Sequence, residues 1–315
     1  MQPWPVGVLQ FAMHEGYYRG AHSSGGVNMN SRLSKFVLAL GLVLFHSAWA
    51  GHFDIVYAKY SDKPDPREGL PLAALDLAMK KTGSTYSIKP ADVKMERQRS
   101  IVELARVDHK ISLAWTSMSA EAEGLLRPVR IPIFRGLIGN RLLLIHKDRQ
   151  ADFDTVQSIN DLRRFSIGQG LGWIDIKILE SMGLKVETAP YDDMFKLVDK
   201  KMVDAFARGA LEVVAEVNSR KEDAPNLVIE DKLLIAYRSD LFFYTNRADE
   251  ELASTIERGL LKAYEDGSYL KLFKEHPYVR DALSQVRLEK RRRFEIPNPF
   301  LSEEDRLIPA RFWEK

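Results

Sequence analysis

The chain has 315 residues, and 45% of them are hydrophobic, which is enough to fill the cores of two compact domains. Lys plus Arg number 46 and Asp plus Glu number 44, a formal net charge of +2 that lacks the basic excess of a nucleic-acid-binding surface. There is no cysteine, which excludes disulfides, a thiol nucleophile and any Cys-ligated zinc or iron–sulfur site.

The N-terminal part of the sequence has the order of features found in a secretory signal peptide. A short basic region precedes an uncharged apolar run at 36–45, and the small residues Ala48 and Ala50 follow it. This run is too short for a membrane span, which needs about 20 apolar residues. We expect residues 1–50 to comprise an upstream extension and, from Met29, the signal peptide. Cleavage after Ala50 would deliver a mature chain to the periplasm.

Strand and helix patterns alternate along the rest of the chain. Apolar runs predict strands at 53–57, 86–88, 111–115, 142–145, 165–167, 185–188, 241–245 and from 205 onwards. Helical spacing of apolar residues predicts helices at 70–82, 97–106, 173–182, 191–200, 211–220 and 250–266. This alternation is typical of a parallel sheet covered by helices, so the sequence predicts an α/β fold.

The order of these elements predicts two lobes, the second inserted into the first. The first lobe comprises 51–144 and 240–285, the second comprises 145–239, and a C-terminal tail at 286–315 packs on the lobes. Each lobe is expected to contain a mixed, mostly parallel sheet with flanking helices. Two hinge strands would join the lobes, so that a ligand bound between them closes the molecule.

Candidate ligand contacts in the first lobe follow its predicted strands. Trp115, Thr116 and Ser117 come at the end of one strand, and Tyr57 and Tyr60 come at the end of another. Ligands of open α/β sheets bind at the carboxyl ends of the strands, and an aromatic face beside two hydroxyl groups suits a small polar molecule. The alternative is that these aromatic residues belong to the core.

A glycine-rich turn at 168–172 provides the candidates of the second lobe. It includes Gln169 and Gly170, follows a strand and leads through Trp173 into a helix. Free N–H groups at a helix N-terminus suit a carboxylate or phosphate group. The alternatives are a plain tight turn and a dinucleotide site, although a dinucleotide site would need the spacing G-x-G-x-x-G.

Charged residues complete the set of candidates. Arg99 lies near the start of a helix, where the helix dipole disfavours a positive charge, and Arg208 and Glu212 follow another strand. We expect Arg99 or Arg208 to hold an anionic or strongly polar group of the ligand. The alternatives are that Arg99 is a solvated surface residue and that Arg208 and Glu212, four residues apart, pair with each other.

Several short strings resemble extracytoplasmic solute-binding proteins of family 3, which have the type II periplasmic-binding fold of polar amino-acid uptake systems. They are Trp115-Thr116-Ser117, the strings RIPI at 130–133 and RGALE at 208–212, and EDGSY at 265–269. The resemblance covers about 52–280. It implies a monomer that captures a small polar or anionic solute between two lobes for a membrane transporter.

One position departs from that family. Its amino-acid-binding members usually carry an arginine a few residues after the Thr/Ser pair, where it clamps the ligand carboxylate. Ala122 stands at the matching position here, so the clamp is missing or is replaced by Arg99 or Arg127. The resemblance therefore implies the fold and a binding role, and it does not identify the ligand as an amino acid.

Two other functions remain open at this point. The chain would alternatively be a sensory module that reports a ligand to a membrane receptor, or a dehydratase-like enzyme on the same fold. For an enzyme, only Glu212 and Asp175 stand near the predicted cleft as acid–base candidates. The histidines form no pair at the spacing of a metal site. We therefore expect no catalytic residue, no metal and no cofactor.

Overall fold

The computed structural model describes residues 52–62 and 65–314, so the predicted start site and signal peptide lie outside the described residues. Its strands are β1 His52–Tyr57, β2 Thr85–Pro90, β3 Ala114–Ser117, β4 Arg127–Val129, β5 Asn140–His146, β6 Ser166–Gly170, β7 Lys185–Ala189, β8 Ala205–Gly209, β9 Leu227–Ile229, β10 Leu233–Ala236, β11 Leu241–Thr245 and β12 Arg292–Glu295.

The helices are α1 Pro66–Thr82, α2 Arg97–Ala105, α3 Ala120–Leu125, α4 Gln150–Phe153, α5 Ile174–Ser181, α6 Tyr191–Asp199, α7 Val213–Ser219, α8 Glu250–Glu265, α9 Ser268–Glu275, α10 Pro277–Val286 and α11 Glu303–Arg306. In the part of the chain that the structure describes, no helix combines the length and hydropathy needed to cross a membrane.

The first lobe is built from two small sheets around one hydrophobic core. Strands β1 and β2 pair in parallel, and β11 lies between β3 and β4 in an antiparallel sheet. Asp65 caps the N-terminus of helix α1, because its side chain accepts a hydrogen bond from Arg67 N, and the helix packs against α8. The contact between these helices is close, because a Cβ on Gly259 would lie 2.0 Å from the carbonyl oxygen of Ala78.

The second lobe is built on a single sheet with the strand order β12-β10-β5-β8-β6-β7, and β9 also pairs with β5. Strands β6, β7 and β8 are parallel, and β5 runs antiparallel to β8. Alternate residues of β5 fill the cores on the two faces of this sheet, Leu143 and Ile145 on one and Leu142 and Leu144 on the other. All of β5 therefore belongs to the second sheet, and the chain crosses between lobes before Asn140 rather than after residue 144.

The C-terminal region contacts both lobes. Helix α10 starts in the first-lobe core at Val279 and ends in a second-lobe core at Val286, and β12 then extends the second sheet beside β10. The chain returns to the first-lobe core at Leu301, Ile308 and Phe312. Within the described residues, two C-terminal crossings therefore add to the crossings at 130–139 and 237–240.

Candidate functional site

The lobes meet where the carboxyl ends of β6 and β8 face the segments that follow β1 and β3. Two ion pairs join the lobes in this region. Arg67 Nη1 of the first lobe lies 3.7 Å from Glu216 Oε1 of the second, and Lys177 Nζ of the second lies 3.3 Å from Glu121 Oε2 of the first. The site that the topology favours for a ligand is therefore lined by side chains that already contact each other.

Trp115 is a core residue of the first lobe, since only 1% of its surface is exposed. Its ring lies 5.5 Å from that of Tyr57 and 5.6 Å from that of Tyr60. Its carbonyl oxygen, within β3, accepts hydrogen bonds from Tyr60 Oη at 3.1 Å and Arg97 Nη1 at 3.0 Å. This wall of the site consequently presents Tyr60 and Arg97, while the indole face of Trp115 is covered.

The two hydroxyl residues that follow Trp115 lie in the same strand. Thr116 is buried opposite Phe242 of β11, and Ser117 is half-buried opposite Leu241. Their backbone groups belong to the sheet between β3 and β11. Of these two residues, the structure leaves Ser117 the more accessible.

Arg97, and not Arg99, is the arginine of α2 that lies at the site. The two positions point about 200° apart on a helix, because each residue turns the chain by about 100°. Arg97 is half-buried with its guanidinium 4.9 Å from the centre of the Tyr60 ring. Arg99 is exposed, and among the described residues its side chain has no hydrogen bond or ion pair. The structure therefore places Arg97, two residues before Arg99, beside Tyr60, and leaves Arg99 on the surface. Which arginine holds a ligand stays a prediction.

The glycine-rich segment of the second lobe forms a tight turn against Trp173. A Cβ on Gly170 would lie 2.4 Å from the Trp173 ring. Leu171 N donates to Ala189 O at 3.2 Å and Trp173 N donates to Gly170 O at 3.2 Å, so two N–H groups expected to face a ligand are used by the backbone. Gln169 is fully buried and donates to Ala207 O at 3.3 Å.

Arg208 is engaged within its own lobe. Its Nε donates to Glu216 Oε2 at 2.8 Å, its Nη2 donates to Glu216 Oε1 at 2.6 Å, and Nη2 lies 3.1 Å from Glu212 Oε2. The guanidinium group lies 4.6 Å from the centre of the Trp173 ring and 5.4 Å from that of Tyr191. Only 2% of Arg208 is exposed, so the predicted Arg208–Glu212 pair is present and the guanidinium has no open face.

The paired charges continue in both directions from Arg208. Arg141 Nη1 lies 3.7 Å from Glu212 Oε2, and Arg141 also pairs with Asp175, which accepts a hydrogen bond from Tyr237. At the other end, Glu216 faces Arg67. We call this alternating series the ionic chain; it comprises Asp175, Arg141, Glu212, Arg208, Glu216 and Arg67. It runs along the carboxyl edge of the second sheet and ends on a first-lobe arginine.

The charges of the ionic chain fix the protonation of its central carboxylate. Burial by itself would raise the pKa of Glu212, but the positive charges of Arg208 and Arg141 outweigh it and lower the pKa to about 2. Burial raises the pKa of Tyr191, so its hydroxyl stays protonated and donates to Glu216 Oε1 at 2.8 Å. Glu212 is therefore a carboxylate at neutral pH and has no proton to donate as a general acid.

Three buried polar atoms around the ionic chain lack a hydrogen-bond partner among the described residues. They are Glu68 Oε1, Gln169 Oε1 and Tyr278 Oη. Buried polar atoms are normally paired, so atoms of this kind favour contact with water or with a bound polar molecule. In the described residues, no group of three His, Asp or Glu side chains is placed to hold a metal ion.

Sequence reasoning missed Arg67, Arg141, Tyr191, Glu216 and Tyr278. Two of them left a signal, because Arg141 directly precedes the apolar run at 142–145 within β5 and Glu216 lies in the largely apolar helix α7. A charge at a position buried by its neighbours needs a partner of opposite sign. The sequence alone does not say which residue that partner is.

The structure is similar to solved structures of ligand-binding proteins. An ancestral arginine-binding protein bound to arginine shares 18% identity at a TM-score of 0.53, over 72% of this chain and 98% of that one. The amino acid ABC transporter substrate-binding protein AbpA from Streptococcus pneumoniae, bound to L-arginine, shares 16% identity at a TM-score of 0.52, over 78% and 98%. A histidine kinase sensor domain with similarity to periplasmic binding proteins shares 14% identity at a TM-score of 0.53, over 71% and 96%.

No protein-family model and no curated protein matches the chain. At these identities the structural likeness establishes the fold. The two-lobed α/β fold of periplasmic binding proteins predicted from the sequence is confirmed, with sheets of mostly parallel strands in the second lobe and flanking helices in both.

Proposed function

We propose that this protein binds a small polar solute between its two lobes, outside the cytoplasm, and delivers it to a membrane transporter. The observation that carries the proposal is the convergence of charged and aromatic side chains from both lobes at the carboxyl ends of the strands, where folds of this type bind ligands. The arginine-bound neighbours and the ABC-transporter binding proteins among the similar structures support it.

The charge balance of the site favours a solute that carries both signs or none. Arg208 and Arg141 are each paired with two carboxylates, whereas Arg97 makes one hydrogen bond to a backbone oxygen. Glu212 of the second lobe and the unpaired Oε1 of Glu68 in the first lobe offer acceptors. A carboxylate on Arg97 and a donor group on Glu212 would satisfy both, so we favour a zwitterionic or neutral polar solute over a multiply charged anion.

A thermal-shift screen of polar metabolites on the mature chain would identify the solute, and one pair of variants would then locate its contact. Arg97→Ala removes the half-buried guanidinium and is expected to cost about 2–5 kcal/mol of binding, which is a factor of roughly 30 to several thousand in affinity. Arg99→Ala, two residues along the same helix, is the matched control and should bind within about threefold of wild type. Equal affinities in calorimetry, or no solute in the screen, would contradict the proposal.

A sensory role is the second candidate, because the sensor-domain neighbour matches this fold as well as the transport proteins do. A gene for a permease and an ATPase beside this one would favour transport, and a gene for a sensor kinase would favour sensing. We propose binding without turnover in either case, and the support for it is that the similar transport structures are those of binding proteins. Recovery of unchanged solute after long incubation, followed by NMR, would support this.

The exported location rests on the signal-peptide pattern. If it is correct, mass spectrometry of the extracytoplasmic protein should find a mature chain that begins at Gly51. An intact Met1 or Met29 in that fraction would overturn the assignment.

A further inference from the structure

Arg67 links the two lobes through a planar cation. It is the second residue of α1 in the first lobe, and its Cζ lies 4.9 Å from the centre of the Tyr191 ring in α6 of the second lobe. Its Nη1 lies 3.7 Å from Oε1 of Glu216, whose side chain is only 4% exposed. A planar cation between an aromatic face and a buried carboxylate has the surroundings in which proteins bind guanidinium groups.

The opposite edge of the same guanidinium group is held by the first lobe. Asp65 accepts hydrogen bonds from Arg67 Nε at 2.9 Å and from Nη2 at 2.6 Å. The side chain is therefore fixed on its own lobe and directs its remaining edge, Nη1, at the second lobe. Because the rotamer is already restrained by Asp65, little side-chain entropy is lost when the lobes come together.

The second-lobe half of this contact is held in place without Arg67. Tyr191 donates to Glu216 Oε1 at 2.8 Å, Arg208 binds both oxygens of Glu216, and the Tyr191 ring packs edge-on against Phe195 at 5.1 Å. Arg220 also lies near the ring, 5.6 Å from its centre. Removing the Arg67 side chain would therefore leave a formed pocket between Tyr191 and Glu216.

We infer that Tyr191 and Glu216 form a guanidinium-binding pocket in the second lobe, and that Arg67 of the first lobe fills it as a built-in ligand that holds the lobes closed without solute. This inference rests on the proposed function in one respect: the surfaces that Arg67 holds together are those that would enclose the solute. We call the contact of Arg67 with Tyr191 and Glu216 the latch. A solute then binds only to the fraction of molecules in which the latch is open, so its apparent affinity is reduced by that fraction.

Small-angle scattering of the protein without solute tests the latch. Arg67→Ala is expected to have a larger radius of gyration than wild type. Lys177→Ala is the matched control, because it removes the ion pair that Lys177 makes with Glu121 across the lobes. Both of these side chains are more than half exposed. Exposed pairs contribute little, so this variant should keep the wild-type radius.

Chemical rescue tests the pocket directly. Millimolar methylguanidinium should return Arg67→Ala to the wild-type radius and raise its melting temperature, while leaving the wild type unchanged because its pocket is filled. A wild-type radius in Arg67→Ala, an expanded radius that methylguanidinium does not reduce, or equal expansion in Lys177→Ala would each overturn the inference.

A third variant keeps the test valid if Arg67→Ala does not fold. Arg67→Lys retains the charge and lacks the planar face, so it too should expand, and an unchanged radius would count against the latch. None of these measurements uses the solute. Failure to find a solute would therefore contradict the proposed function without contradicting the latch. A failed rescue by methylguanidinium would contradict the latch without contradicting the proposed function.

Discussion

Arg208 has a structural role at the scale of single residues. Its guanidinium group is buried between two carboxylates and three aromatic rings, and both Glu212 and Glu216 depend on it for their nearest positive charge. Breaking a buried ion pair costs more than the pair itself contributes, because the remaining charge stays buried without a partner.

Arg208→Ala is accordingly expected to lower the free energy of unfolding by about 3–5 kcal/mol. Denaturant unfolding monitored by circular dichroism measures the change. Arg106→Ala, which removes an exposed pair with Asp108, is the control and should unfold close to the wild-type midpoint. A similar small change in both variants would contradict the burial argument.

Asp305 and Glu123 form a second charged cluster, which joins the C-terminal tail to the first lobe. Arg130 donates to both, at 2.7 Å to Asp305 Oδ1 and 2.6 Å to Glu123 Oε2. Burial and the adjacent Glu123 raise the pKa of Asp305 to about 7, while Arg130 and a hydrogen bond with Asp305 lower that of Glu123 against the effect of burial. The two carboxyl groups thus share a proton at mildly acidic pH.

This cluster makes stability depend on pH. Between the ordinary value of 3.8 and the folded value of about 7, folded Asp305 keeps a proton that the unfolded chain has released. The free energy of unfolding therefore falls as pH rises through that interval. Asp305→Asn cannot ionise, so its free energy of unfolding should fall less steeply as pH rises. The decrease that remains comes from Asp240, whose pKa burial also raises to about 7. Melting temperatures from pH 4 to pH 8 test this, and an unaltered slope would refute it.

At the scale of elements, the C-terminal tail packs against the crossings at 130–139 and 237–240. Asn298 donates to Arg238 O at 2.9 Å in the second crossing, and the guanidinium of Arg238 lies 4.4 Å from the centre of the Trp313 ring. Trp313 packs against Gly136 in the first crossing, where a Cβ would lie 2.6 Å from its ring. Gly136 also has φ of +86°, so glycine is required there on two grounds.

The last turn of the tail anchors it in the first-lobe core through Phe312. This side chain is 3% exposed and lies edge-on to Tyr264 at 4.7 Å. Phe312→Ala should lower the free energy of unfolding by about 3–5 kcal/mol, because it leaves a cavity in the core. Leu307→Ala, whose side chain is 79% exposed, is the control in the same tail and should change it by less than about 0.5 kcal/mol. Thermal denaturation that places both variants at the wild-type midpoint would contradict the anchoring role.

The long and strongly patterned elements were predictable from the sequence. The predicted helix at 250–266 is α8, and the predicted strand at 241–245 is β11. Short elements such as β4 and β9, with three residues each, leave too few positions for a period to be read. The path of the C-terminal tail was also not predictable from the sequence, because β12 forms a strand only by pairing with β10.

The positions of some candidate residues in the fold were predictable, and their contacts were less so; their binding role stays a prediction. Strand order placed Arg208 and Glu212 at the carboxyl edge, where they lie. Whether Arg97 or Arg99 turns inward depends on the rotation of α2 about its axis, which its helical pattern left undecided because neither position is apolar. The partners of Arg208 depend on packing between α7 and β8, and the contact of Arg67 with Tyr191 joins residues 124 positions apart.

At the scale of the whole molecule, the proposed latch at Arg67 would add to the four crossings in holding the lobes together before a solute binds. The expectation that a solute closes the two lobes then takes a more specific form. Wild type should change its radius of gyration little at saturating solute, because solute replaces one set of contacts between the lobes with another. Arg67→Ala, which starts more open, should contract toward the wild-type value. Scattering titrations of both proteins distinguish the cases: a large contraction of wild type would mean that the lobes are apart without solute, and no contraction in either protein would mean that binding does not draw them together.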